Sequence, residues 1–256
     1  MAFELSTLVF AAILFAGMIA CSEAGRRLAL KRSARDPEGT WLGVGVIDGA
    51  VFGLLGLIVA FTFAGASNRF DIRRNLIVQE ANAIGTAYLR LDLLPAEKQH
   101  ALRDVFRAYL DARIRVYESF PDLSAVRREL ETANRQQDTI WTSTVAAVGK
   151  SQPEAMLLLP ALNEMFDVAS SRTIAATMHP PRVIFAMLFF LALSSAVLAG
   201  YGMARSKHRN WLHIVGFAAV TSAAYFVIMD IEHPRMGVIQ VGSLDSALHD
   251  LRKSMK

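Results

Sequence analysis

The 256-residue chain is 53% hydrophobic and 20% charged, with a positive mean hydropathy, which excludes a disordered segment and an ordinary soluble domain. Its formal charge of +4 comes from Lys and Arg scattered through helical patterns or set beside apolar stretches. No aromatic-interleaved basic patch accompanies them, so nucleic acid is not an expected partner. The single cysteine, Cys21, excludes an intrachain disulfide and leaves the redox compartment open.

The apolar residues gather in four stretches, Leu5 to Cys21, Trp41 to Ala66, Val183 to Ala204 and Trp211 to Met229. A helix needs about 20 apolar residues to cross a hydrocarbon core. The pattern therefore predicts an all-α membrane protein with four transmembrane helices in two hairpins, residues 1–67 and 182–230, flanking a helical-bundle insert over 68–181. A polar tail, 231–256, follows. The start MAFELST lacks the basic region of a signal peptide, so the first stretch is expected to stay as a span. Arg26, Arg27, Lys31, Arg32 and Arg35 fill the first connection, and Arg205, Lys207 and Arg209 the last. The positive-inside rule puts both in the cytoplasm and the insert outside, an asymmetry that Arg69, Arg73, Arg74, Arg172 and Arg182 weaken.

The second stretch organises the rest. Gly45, Gly49, Gly53, Gly56, Ala60, Ala64 and Ser67 recur every three or four residues and so share one stripe of a helix. Small-residue stripes let backbones approach in lipid, where apolar surface alone supplies no drive for pairing, so the stripe predicts a buried helix. Asp48, about 100° around from the stripe, is the one acid deep in a span. It could line a pore, bind a cation or relay protons, or else meet water or an arginine of the adjoining connection. Phe52, Val59 and Phe63 flank the stripe, where a ring of subunits could form an apolar constriction; the alternative is packing against spans one and four.

Helical periodicity continues without a breaker to about Leu94, with Ile77, Ala81, Ile84, Tyr88 and Leu91 on one face. Pro95 opens a second helix with Leu102, Phe106, Tyr109 and Tyr117 inward, and Pro121 ends it. A third runs on from Asp122, and a fourth covers Glu154 to Thr177 with Leu158, Leu162, Met165, Phe166 and Ala169 buried. The insert thus reads as a four-helix unit of bundle size. His179-Pro180-Pro181 halts the last helix and starts the third span.

Two polar runs stand out. EANAIGTAYLRLDLLP, residues 80–95, sets Glu80, Asn82, Thr86, Tyr88, Arg90 and Asp92 into an apolar helix, either for interhelical packing with Glu80 paired to an arginine, or for a ligand. DIEHPRMG, residues 230–237, groups Asp230, Glu232, Pro234, Arg235 and Gly237. It serves either as cation ligands or as the cap of the span, with Asp230 or Glu232 paired to Arg235 or to the insert. No metal spacing, phosphate loop, dinucleotide fingerprint or nucleophile elbow is present, so neither catalysis nor a cofactor is expected.

These two runs, together with GLLGLIVAFTFAGASNRFDIRRNLIVQEANAIGTAYLR and the basic turn before Trp211, resemble the bestrophin-like domain family of bacterial membrane proteins over nearly the whole chain. The family's last motif usually reads Asp-Leu-Asp-Arg-Pro; here Glu232 and His233 take its third and fourth places. The resemblance implies kinship with bestrophins, pentameric anion channels with two span pairs around a helical cytosolic region. That side for the insert is opposite to the one the charges give. The expectation is a multi-pass, homo-oligomeric ion channel or transport protein of the bacterial inner membrane, with the second span lining or supporting the path. The competing expectation is a non-catalytic membrane sensor or scaffold whose insert binds a partner.

Overall fold

The computed structural model describes residues 2–41, 44–206, 209–239 and 245–255, and Lys207 of the last basic connection lies outside them. Among the described residues every regular element is a helix. Helix α1 covers Ala2–Ser33 and α2 Val44–Leu89, extended by a 3₁₀ turn over Arg90–Leu93. Then come α3 (Ala96–Glu118), α4 (Leu123–Val148), α5 (Gln152–Thr177), α6 (Arg182–Met203), α7 (Trp211–Glu232) and α8 (Ser246–Ser254). Four helical stretches are long and apolar enough to cross a membrane, and α1, α2, α6 and α7 carry them.

Contacts divide the chain into two compact units. The first holds the spans: residues 1–68, 179–233 and 237–239. Its most extensive helix–helix contacts are of α1 with α6 and of α1 with α7. Glycines make the first of these possible. A Cβ on Gly200 would lie 1.9 Å from the Ser22 carbonyl oxygen, and one on Gly25 would lie 2.0 Å from that of Val197. The Ser22 hydroxyl donates to the Ala196 carbonyl across the same seam. Leu14, Met18, Leu188, Ala192, Ala218 and Ile228 fill the core around it.

The expected burial of the α2 stripe is not found within the chain. Gly45, Gly49, Gly53, Gly56, Ala60 and Ala64 are exposed, and a Cβ on any of the four glycines would meet nothing within 4 Å. The opposite face of α2, through Leu55, Ile58, Val59 and Ala66, is the one that reaches the core. Large side chains lie outside as well: Leu54, Leu57 and Phe61 are 47%, 52% and 70% exposed, so most of this part of α2 is uncovered by its own chain.

The second unit holds residues 69–178, 234–236 and 240–256. Ile84, Ala87, Leu91, Leu102, Phe106, Tyr109, Leu110, Ile140, Leu158 and Leu162 make its core. Asp122 caps α4 by accepting from the backbone N–H of Ser124 and Ala125. The segment that reads as a polar tail contributes α8, whose Leu248 is buried in this core together with Met255. Arg252 clamps α8 to α3 by two bonds to the Asp111 carboxylate, at 2.7 and 3.2 Å. Gly85 leaves room for Leu251, whose Cδ1 would sit 3.2 Å from a Cβ there.

Candidate ion path and buried charge network

Asp48 is turned away from the glycine face of α2. It lines a cavity of about 380 Å³ within the span unit, with Phe52 from its own helix, Gly202 from α6, and His213 and Phe217 from α7. No cation among the described residues pairs with it. Arg205 lies over the Trp41 ring at 5.8 Å, and Arg209 bonds Glu23 at 3.0 Å. The expected contact with an arginine of the basic connections is therefore replaced by partners at the helix ends. Phe52 meets Phe217 edge-on at 5.8 Å, and Val59 is part-buried against the core, so both are packing residues within the chain. Phe63 is 44% exposed.

The first polar run divides by face. Glu80 is fully buried and bonds two arginines, Arg113 Nε at 2.5 Å and Arg172 Nη1 at 2.5 Å. Arg172 also reaches Asp245 at 2.7 Å, and Asp245 takes two bonds from Arg235, at 2.6 and 3.1 Å. Tyr117 stands among these cations: Arg113 donates to its hydroxyl at 2.6 Å, and the Arg172 guanidinium lies 3.5 Å from its ring centre. Burial, with Glu80 adding to it, pushes the Tyr117 phenol up to about 12. The network joins α2, α3, α5 and the turn before α8 through charges that satisfy one another, as buried charges must.

Asn82 and Thr86 are exposed and line a groove of about 490 Å³ with Arg90, which donates to the Leu157 carbonyl at 2.5 Å. Tyr88 packs edge-on against Phe106, and Asp92 pairs with Arg103.

In the second run, Asp230 is fully buried and its two oxygens accept from the backbone N–H of Val238 and Ile239, at 2.8 and 2.7 Å. A Cβ on Gly237 would come within 2.4 Å of Asp230 Oδ1, so only glycine lets the chain fold back this closely. Glu232, also buried, faces His179 Nδ1 at 3.7 Å. Of the two expected pairings of Asp230 or Glu232, the one with Arg235 does not form, while Glu232 meets His179, which the sequence reading counts in the insert. Asp230 is occupied by main-chain donors, while Arg235 pairs with Asp245 and lies over the Tyr117 ring at 4.6 Å. Pro234 lines a second-unit cavity beside Arg235. Sequence reasoning missed Arg113, Arg172 and Asp245. The one available signal was Arg113, four residues from both Tyr109 and Tyr117 on an otherwise apolar inward face.

Helices are the one kind of regular structure among the described residues, and four helical stretches there are long and apolar enough to cross a bilayer, as in a polytopic membrane protein. The model of the Bestrophin-like domain matches residues 16–244, and the chain belongs to that family. Comparison with curated proteins gives no match. Among solved structures it is similar to a bacterial bestrophin homologue from Klebsiella pneumoniae, at 16% identity and TM-score 0.68, covering 96% of this chain and 98% of that one. A single-substitution variant of that homologue aligns at 14% identity and TM-score 0.70, over 96% and 98%. A separate structure, described only as a membrane protein with one substitution, aligns at 15% identity and TM-score 0.69, over 94% and 98%. At these identities the likeness is one of fold.

Proposed function

We propose that the protein is a homo-oligomeric ion channel of the bacterial inner membrane, with anions among the candidate permeants, in which copies of α2 surround a central path. The uncovered glycine face carries this reading: Gly45, Gly49, Gly53 and Gly56 meet no atom of their own chain within 4 Å. In lipid, helices associate where small residues permit close backbone packing, and a vacant stripe of this kind suits another copy of itself. Of the three flanking apolar side chains, Phe52 and Val59 are used within the chain, so the constriction falls to exposed Phe63. A ring of such side chains gates by dewetting.

Planar-bilayer recording of the purified full chain tests this. A current is expected, and Phe63→Ala should lengthen the open time. Gly53→Cys on a Cys21→Ser background should crosslink copies into dimers and larger species. A protein that stays monomeric in detergent and passes no current under any salt gradient overturns the channel. That outcome would favour the second reading, a sensor or scaffold. The groove on the insert lined by Gln79, Asn82, Thr86, Arg90 and Glu164 beside Ala83, Pro160 and Val168 supports that alternative.

A further inference from the structure

We propose that the cavity beside Asp48 binds a small apolar ammonium ion, with the Asp48 carboxylate as its counter-charge and Phe52 and Phe217 as its walls. A carboxylate inside a span is costly unless it is partnered. Among the described residues Asp48 has neither an ion-pair nor a hydrogen-bond partner, although Arg205 and Arg209 belong to the neighbouring connection and are occupied elsewhere. The Ser22 hydroxyl, on the same cavity wall, is committed to the Ala196 carbonyl. Asp48 is thus the one acidic group facing about 380 Å³ of mostly apolar space, a volume within the usual range for small-ligand sites.

Position 202 keeps the carboxylate accessible, because a side chain there would begin 3.1 Å from Asp48 Oδ2. The edge-to-face rings of Phe52 and Phe217, 5.8 Å apart, offer an aromatic surface, which attracts cations through its quadrupole. Carboxylate, aromatic faces and apolar walls together select an organic cation over an anion, which the carboxylate repels, and over a neutral hydrocarbon, which leaves the charge unmet. The site is separate from the glycine face of α2 and does not depend on the channel reading.

The test is thermal unfolding of the full chain in detergent at neutral pH, titrated with benzylamine, a protonated amine, or with benzyl alcohol, its uncharged counterpart. Benzylamine should raise Tm saturably and benzyl alcohol should not. Asp48→Asn, nearly isosteric, should weaken the benzylamine response by roughly tenfold or more, as expected for removal of a desolvated charge partner. Ala199→Phe, which fills the cavity and keeps the carboxylate, should abolish it. Either variant suffices if the other fails to fold. An undiminished response in whichever variant folds, no response to benzylamine, or an equal response to the alcohol overturns the site. Nanodiscs of phosphatidylglycerol with and without phosphatidylethanolamine separate two sources of the ammonium: competition by the aminolipid assigns the site to a lipid headgroup, and its absence to a free amine.

Discussion

Glu80 balances two guanidinium groups in a space that water does not enter, so its removal leaves Arg113 and Arg172 buried without their shared acceptor. Glu80→Ala should destabilise the insert by about 3–5 kcal/mol, and Glu80→Gln should remain destabilising, since one amide cannot counter both cations. Chemical denaturation in detergent reads both. Tyr117, in the same cluster, ties the network to pH. Its folded value, pushed up to about 12, exceeds the ordinary phenol value of about 10, so its contribution to stability is complete below the latter and is lost as pH rises through the former. Tyr117→Phe, which cannot ionise, should flatten the alkaline unfolding limb between those values. Residue-level reading of the sequence reached the pairing of Glu80 with an arginine. It did not reach the partners, because Arg113 and Arg172 lie 33 and 92 positions away and nothing local to Glu80 names them.

At the scale of elements, the span unit turns on where glycine is indispensable. The small residues of α2 are the conspicuous set in the sequence, yet the seam that tolerates no side chain is between α1 and α6, at Gly25 and Gly200. Gly200→Leu forces a side chain into the Ser22 carbonyl and should cost about 3 kcal/mol or more, at or beyond the usual range for overpacking. Gly216→Leu is the control, since a Cβ there meets nothing within 4 Å. Thermal unfolding of the two variants in detergent should separate them clearly. Helix starts and stops were legible from Pro95, Pro121 and Pro181, because proline and the residue before it restrict the backbone locally. Which face of α2 turns inward was not legible. Periodicity finds a stripe, but whether it meets its own chain or another is decided by partners that one sequence does not display.

For the whole molecule, the charge pattern gives an expected orientation that a reporter can test. Of the basic residues beside the insert, Arg73 bonds the carbonyls of Ala175 and Met178, and Arg172 bonds Glu80 and Asp245, so both are held inside the second unit. Arg209 and Arg27 in turn pair with Glu23, so the expectation of cytoplasmic connections rests on the count of basic residues and not on which of them are unpaired. A reporter fused after Lys150 should accordingly be active only outside the cytoplasm, and cytoplasmic activity would reverse the orientation. The class of architecture was legible in the four apolar stretches and the intervening helical periods. The role of the tail was not, because nine residues with one buried leucine give too short a pattern to distinguish a docked helix from a solvated one.

Leu248 and Met255 complete the insert's core, yet they leave the ribosome only after both of the last two membrane stretches have been synthesised. The insert must therefore wait, partly assembled and with apolar surface uncovered, while α6 and α7 enter the bilayer. Translation and membrane insertion thus set the moment at which this domain can close. A chain stalled before α8 should be far more sensitive to protease within residues 69–178 than one that is released.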